Sequence, residues 1–260
     1  MAGRQKTYLE MKIVNAIWEE RNTGLETCEI AFDKKDTFQT YLDSEIENNY
    51  EFSVVKIPVG NLVLVHKLED FGYRYLENHI ILSFEANQLD DINPRWKRLL
   101  TGFKCKLLTT NEEMVSVLHE VENNMFNTDR YSLDPFWPAN VSSKRYSNWI
   151  KELFEAGIAQ FYLIVKDEKE IGFFTIKKES QKINSCPIAG IFNAHKSAGY
   201  IFVLTWFWLL KSKEMRYEKL TTSISSNNRV ILSSISKVFT FRVSDTYIVM
   251  RKILKKKNEL

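Results

Sequence analysis

The chain has 260 residues, 44% apolar and 27% charged; this suits one large globular domain or two modest ones and excludes a wholly disordered chain. Lys plus Arg number 36 and Asp plus Glu 33, a net charge of +3. Part of that excess sits in the run Lys255, Lys256, Lys257, and a small excess in a tail is no footprint for nucleic acid.

In chain order, Thr27 to Phe32 is strand-like, Asp36 to Glu47 helical and Phe52 to Ile57 a strand. Asn61 to Phe71 is a helix ended by Gly72, and Tyr73 to Ala86 is extended. The polar stretch Asn87 to Leu99 reads as a connection between halves, which sets expected domains at 1–99 and 100–260. Phe103 to Thr110 alternates like a strand. Met114, Val117, Leu118 and Val121 give Glu112 to Asn123 helical spacing. Ser142 precedes a second helix through Ala156, stopped by Gly157. Phe161 to Lys166 and Glu170 to Lys178 form a hairpin around Asp167 and Lys169. A strand, Ile188 to Phe192, leads into the loop Asn193 to Gly199. Tyr200 to Leu210 is a continuous apolar run of about 11 residues, short of the ~20 needed to cross a membrane, and reads as a buried helix. Lys219 to Ile224 is a strand, Asn228 to Lys237 a short helix, and Phe239 to Arg251 one long strand or a terminal pair. The second half thus runs β-α-α-β-β-β-α-β-α-β.

A periodic match appears between residue i and residue i+167. Tyr50-Glu51 falls on Tyr217-Glu218, Ile57 on Ile224, Asn61 on Asn228, Val63 on Val230 and Ile81 on Ile248. The apolar pattern agrees between them, so these are two copies of a strand-helix-strand unit, or two unrelated units sharing a period. Cys28, Cys105 and Cys186 are scattered and form no CxxC pair, so neither a disulfide framework nor a zinc site is expected. Four scattered His add no metal constellation, so no metal is expected. Met1 to Glu10 lacks an apolar signal core, and a cytoplasmic location is the expectation. No phosphate loop, dinucleotide fingerprint or serine nucleophile elbow is present.

With its element order, the second half resembles the GNAT superfamily of acyl-CoA-dependent N-acetyltransferases. The segment Asn124 to Asp134, the helix with Trp149-Ile150 and the hairpin reaching Gly172-Phe173 are similar to the TDP-fucosamine acetyltransferase-like branch. The stretch TTSISSNNRVILSSISKVF resembles the closing strand-Asn-helix segment. In the first half, Trp18 to Gly24 and Leu68 to Tyr73 resemble the partial N-terminal domain of those relatives. The implied fold is α/β, a GNAT-like mixed central sheet flanked by helices, with a partial GNAT-like N-terminal half.

The resemblance also implies a site. Its phosphate motif is Gln or Arg, two residues, Gly, one residue, then Gly or Ala; the equivalent run is Lys196-Ser197-Ala198-Gly199-Tyr200-Ile201. Backbone N–H groups at a helix start hold a pyrophosphate there. Lys196 keeps a cation and Gly199 is present, while Ile201 replaces the last small residue. Gly199 reads equally as a plain helix-start glycine. Ile191 and Phe192 are the positions that offer backbone to pantetheine, or else belong to an ordinary core strand. Asn228 meets the pantetheine arm in such relatives, and an Asn before an apolar helix is also the commonest N-cap. The Tyr that donates a proton to the leaving thiolate is replaced by Ile235, and Gly-Phe after the helix by Phe239-Thr240. Ser234, His195 and Tyr200 are the remaining weak candidates for proton transfer. Arg130, Tyr131, Asp134 and Trp149 are the acceptor-side candidates, since Arg can fork onto a phosphate and aromatic faces can stack on a sugar or base. The alternative there is an aromatic-packed loop with Arg130 paired to a carboxylate.

The implied activity is acetyl transfer from acetyl-CoA, as co-substrate, to a primary amine on an amino-sugar nucleotide or similar small metabolite. The alternatives are a peptide or amine-antibiotic acceptor, and a non-catalytic GNAT-like protein that binds an acyl-CoA or a partner. No nucleic-acid or membrane partner is expected, and a homodimer is compatible with the sequence.

Overall fold

The computed structural model describes residues 11–44, 46–91 and 94–254; the tail lysines Lys255 to Lys257 and the segment Met1 to Glu10 lie outside them. The chain divides into two compact units, Met1–His79 with Thr246–Leu260, and Ile80–Asp245. The divisions fall inside two long strands, β4 (Arg74–Glu85) and β11 (Arg242–Ile253). The polar stretch Asn87 to Leu99 falls inside the second unit, where its described part is short helical turns, among them α5 (Pro94–Lys97).

The first unit contains β1 (Lys12–Asn15), α1 (Ile17–Thr23), β2 (Thr27–Ala31), α2 (Phe38–Leu42), α3 (Ile46–Asn49), β3 (Phe52–Pro58) and α4 (Leu62–Asp70). Its strands run β1-β2-β3-β11. β2 and β3 are parallel, and the other neighbours are antiparallel. The strand β1 and helix α1 went unforeseen: β1 shows little burial, so alternation is weak there. The continuous helix expected over Asp36 to Glu47 is broken between α2 and α3. Thr37 begins α2 with a capping box to Thr40, and the helix ends at Asp43 after 5 residues. The core collects Cys28, Ile30, Val55, Ile57, Leu64, Leu68, Tyr73 and Met250. Tyr73 Oη lies 2.8 Å from Ser53 Oγ and 3.0 Å from Tyr41 Oη, so these two buried phenols are hydrogen-bonded.

In the second unit, β5 (Phe103–Leu108), β6 (Ala159–Lys166), β7 (Lys169–Lys178), β8 (Ile183–Cys186) and β10 (Lys219–Ser225) form a mixed sheet ordered β10-β8-β7-β6-β5. A short strand β9 (Ala189–Ile191) pairs with β7. α6 (Asn111–Glu122) and α8 (Val141–Glu155) cover one face through Met114, Val117, Val121, Ile150 and Leu153, against Phe161, Leu163 and Phe173. α9 (Ile201–Glu214) covers the other, against Tyr162, Ile164, Phe174 and Ile176. This is the alternation that a two-sided strand demands. α9 buries Phe202, Val203, Leu204, Trp206, Trp208 and Leu209, which explains its unbroken apolar run. α7 (Arg130–Leu133) and α10 (Arg229–Ser236) complete the unit. The terminal stretch is one strand, β11, rather than a pair.

Two expectations are corrected. The cap of α8 is Asn140, without a side-chain bond, and Ser142 sits inside the first turn; its hydroxyl donates instead to Asp129 Oδ2 at 2.7 Å. The strand expected over Ile188 to Phe192 is trimmed to β9, Ala189–Ile191, and an unforeseen strand, β8, lies before it across Pro187. Proline has no N–H to give a ladder. Thr175, fully buried, spans the break: its hydroxyl donates to Ile188 O at 2.7 Å and accepts from Ile188 N–H at 3.1 Å.

The strand-helix-strand match is seen in the elements. β3, α4 and β4 correspond to β10, α10 and β11 at the same offset. Asn61 (φ −84°, ψ 61°) and Asn228 (φ −86°, ψ 63°) begin the two helices, and each side-chain oxygen accepts at 3.3 Å from the N–H three residues on.

Thr175→Val keeps the volume and removes both bonds, leaving Ile188 N–H unpaired and Ile188 O with only the weak Cys186 thiol donor at 3.7 Å. Chemical denaturation should show a loss of about 2 kcal/mol, while Thr175→Ser, which keeps the hydroxyl, should lose less.

Candidate functional site

Beyond the Pro187 break the parallel neighbours part. β10 pairs with β8 from Lys219 opposite Ile183 to Thr222 opposite Cys186. β9 then pairs with β7, Phe174 opposite Ala189 through Gly172 opposite Ile191. Gly172 is required at this crossing, because a Cβ there would collide with Gly190 O and Ile191 Cα. Phe192 N–H donates to Ile171 O at 2.8 Å. Antiparallel alternation therefore turns the backbone groups of Ala189 and Ile191 away from β7, toward the splay. Of the two pantetheine candidates, Ile191 presents its backbone to the splay. Phe192 spends its N–H on β7 and buries its ring with Ile188.

The loop that follows is a 3-10 helix, Asn193–Ala198, closed by Gly199 at φ 70°. A Cβ at Gly199 would meet nothing within 4 Å. Ser197 and Ala198 are exposed. α9 then starts with Tyr200 as its cap residue, and no side chain caps its first turn. The first N–H groups of a helix need partners, and the helix dipole makes that end favourable for an anion. Ile201 is half-buried and packs against the core under α9, so its branched side chain is partly turned inward. Tyr200 meets Phe103 edge-on with ring centres 5.1 Å apart, and His195 lies 6.3 Å away. Lys166 Nζ stands over both Phe103 (4.9 Å) and Tyr200 (5.3 Å). Lys166 was missed in the sequence; the register that pairs it with Phe103 is set by the sheet and leaves no local signal.

Lys196 points elsewhere. Its Nζ donates to Met125 O at 2.6 Å. Partial burial pushes its pKa below the usual lysine value, with Glu120 opposing the shift.

Asn228 caps α10, as described, and is half-buried. Ile235 is 4% exposed and lies in the core, and Phe239 stacks on Phe202 with ring centres 5.6 Å apart. The positions where the sequence resemblance leads one to expect Tyr and Gly-Phe are thus filled by apolar packing. Ser234 is half-buried on α10, whereas His195 and Tyr200 share the loop before α9.

The acceptor-side candidates are organised by Asp129. Its Oδ1 accepts from Tyr131 N–H (2.8 Å) and Ser132 N–H (3.3 Å), which starts α7. Its Oδ2 accepts from the Ser132 and Ser142 hydroxyls, both at 2.7 Å, which ties α7 to α8. The single turn of α7 brings Arg130, Tyr131 and Asp134 together. Tyr131 is 2% exposed, with the guanidinium groups of Arg145 at 4.9 Å and Arg130 at 5.3 Å from its ring centre. Asp134 is buried and accepts from Phe136 N–H at 3.1 Å. Trp149 lies on α8, 6.2 Å from Tyr146 and 5.9 Å from Arg145. Arg145 went unnoticed in the sequence, although its i,i+4 spacing to Trp149 was a usable signal. Among the described residues no group of three His, Cys, Asp or Glu could hold a metal, and no helix is long and apolar enough to cross a membrane.

No protein-family model matches the sequence, and no curated protein matches it. Solved structures match the fold. A GCN5-related N-acetyltransferase from Sphaerobacter thermophilus aligns at TM-score 0.61 and 12% identity, over 96% of this chain and 78% of that one. A tandem GNAT protein from the clavulanic acid biosynthesis pathway aligns at 0.54 and 11%, over 89% and 76%. A GCN5-related N-acetyltransferase from Kribbella flavida aligns at 0.53 and 11%, over 94% and 88%. The chain therefore has the GNAT fold.

The matched caps provide an internal control. Asn61→Ala and Asn228→Ala should each cost about 1 kcal/mol in denaturant titrations. If this end of the second unit binds acetyl-CoA, only Asn228→Ala should also weaken that binding; equal, unchanged affinities would leave Asn228 as a cap alone.

Proposed function

We propose that the second unit binds an acyl-coenzyme A along the splay between β9 and β10 and transfers its acyl group to a primary amine. The carrying observation is the coincidence of two features: β9 leaves β10 with its Ala189 and Ile191 backbone groups turned outward, and the apolar α9 begins at that end without a side-chain cap. The first unit offers neither. There the parallel ladder continues, with Phe32 N–H donating to Lys56 O at 2.9 Å, and Thr37 already caps α2.

Acetyl-CoA supplies an activated thioester when bound. Ile191 would pair with the pantetheine amides as a neighbouring strand does. The N–H groups at Gly199, Tyr200 and Ile201 would meet the pyrophosphate, with Lys166 as the nearby cation. The amine nitrogen forms the new bond to the acyl carbon, the carbon–sulfur bond breaks, and the thiolate leaves. Ile235 has no proton to donate, so the thiolate takes up through water the proton that the attacking nitrogen gives up, and alignment of the amine supplies the rate; Tyr200 and His195 stand at the pyrophosphate end, a pantetheine arm away from the sulfur. The lip around Arg130, Tyr131, Asp134 and Trp149 is the acceptor side. An amino-sugar nucleotide is the acceptor class to assay first, because it pairs an anionic diphosphate with stackable rings. The buried Ile235 and the Phe239–Phe202 stack favour a second reading, in which the chain binds an acyl-CoA without turnover.

Calorimetric titration with acetyl-CoA tests the proposal, with micromolar binding expected. Gly199→Trp should abolish it, Ile201→Ala should tighten it by uncovering the first turn, and Arg130→Ala should leave it unchanged. A folded wild-type chain that binds no acetyl-CoA removes both readings. Binding without product from any amine leaves the second.

A further inference from the structure

We propose that Lys196 is a positioning residue: its ammonium holds the acceptor lip onto the loop before α9 and is not a phosphate ligand. This rests on the reading of that loop as the cofactor loop.

Three donors run from the loop to the end of α6 and the segment after it. Asn193 N–H donates to Glu120 Oε2 at 2.9 Å, Asn193 Nδ2 to Asn123 O at 3.1 Å, and Lys196 Nζ to Met125 O at 2.6 Å. The carbonyl of Asn123, the C-cap of α6, lacks an intrahelical partner and accepts from Asn193 instead. The chain reverses at Asn124, which takes φ 61°, and so turns the Met125 carbonyl to the loop. Met125 is held from a second side as well. It is 4% exposed, and its Cε fills the space over Gly190, where any Cβ would collide with it. One residue at the root of the lip is thus clamped by the cofactor loop through its carbonyl and by β9 through its side chain. The short, charge-assisted bond to Met125 O takes one of the three donors of the Lys196 ammonium and anchors it at the root of the lip. The phosphate end has Lys166 and the first turn of α9 instead. The consequence is mechanical: displacement of the cofactor loop carries the acceptor lip with it.

Hydrogen exchange on the unliganded wild type, Lys196→Met and Lys196→Arg tests the tie, with acetyl-CoA titrations on the same proteins. Lys196→Met should speed exchange at residues 125–129 by about tenfold, equivalent to about 1.4 kcal/mol of local opening. Exchange in the α6 interior should not change. Lys196→Arg, which keeps a charged donor, should restore the wild-type rates. Acetyl-CoA affinity should stay within about twofold in both variants. Unchanged exchange at 125–129 overturns the proposal, as does exchange that Arg fails to restore. A tenfold loss of acetyl-CoA affinity in Lys196→Met also overturns it, whatever the exchange shows. If the wild type binds no acetyl-CoA, the proposed function fails, and the exchange measurements on the free chain still decide the tie.

Discussion

The hydroxyl of Thr175 holds the second unit's architecture at its decisive point. Pro187 interrupts the ladder, and an interrupted buried strand leaves backbone groups that must find partners. Thr175 supplies both, to Ile188 N–H and Ile188 O. With the break stabilised, β9 follows β7 while β10 continues beside β4, and the two parallel strands part. Gly172 then lets the backbones of β7 and β9 cross closely. The splay, the loop and the start of α9 all inherit their positions from this arrangement.

The two units illustrate how one local geometry can be closed or left open. In each, a parallel strand pair is followed by a helix. In the first, the ladder extends past β2 and the helix start is occupied by Thr37 and Thr40. In the second, the ladder stops and the helix start carries only apolar side chains and Tyr200. Few hydrogen bonds separate the two states, and they are the ones a ligand would otherwise make. The capping side chain is a built-in substitute for an anion.

Much of this was legible in the sequence. The 3.6-residue periodicity of α6, the apolar run of α9 and the offset that pairs Asn61 with Asn228 all depend on local pattern, and each appears in the structure close to its expected bounds. The failures share a cause. Ser142 looks like a helix cap by type, but Asp129, distant in sequence, claims its hydroxyl. Pro187 marks a break, yet nothing nearby shows that Thr175 repairs it. Lys196 fits a phosphate motif by spacing, and nothing local shows that its Nζ also reaches the Met125 carbonyl, distant in sequence. Lys166 and Arg145 acquire meaning only when the sheet and α8 bring rings to them. Backbone pattern is local, whereas the commitment of a polar side chain is decided by tertiary neighbours.

The strand β11 has a further consequence for how the molecule is made. Its residues Tyr247 to Ile253 lie antiparallel on Phe52 to Pro58 of β3, so the first unit is closed by a strand that follows the whole of the second unit in sequence. During synthesis β3 must therefore wait, with one edge unpaired, until the whole second unit has been made. Loop closure over that separation is slow, and an unpaired strand rich in Val and Ile is the kind of edge that associates wrongly. The discontinuous unit makes the order of folding asymmetric: the second unit can form from contiguous chain, and the first can be completed only after it.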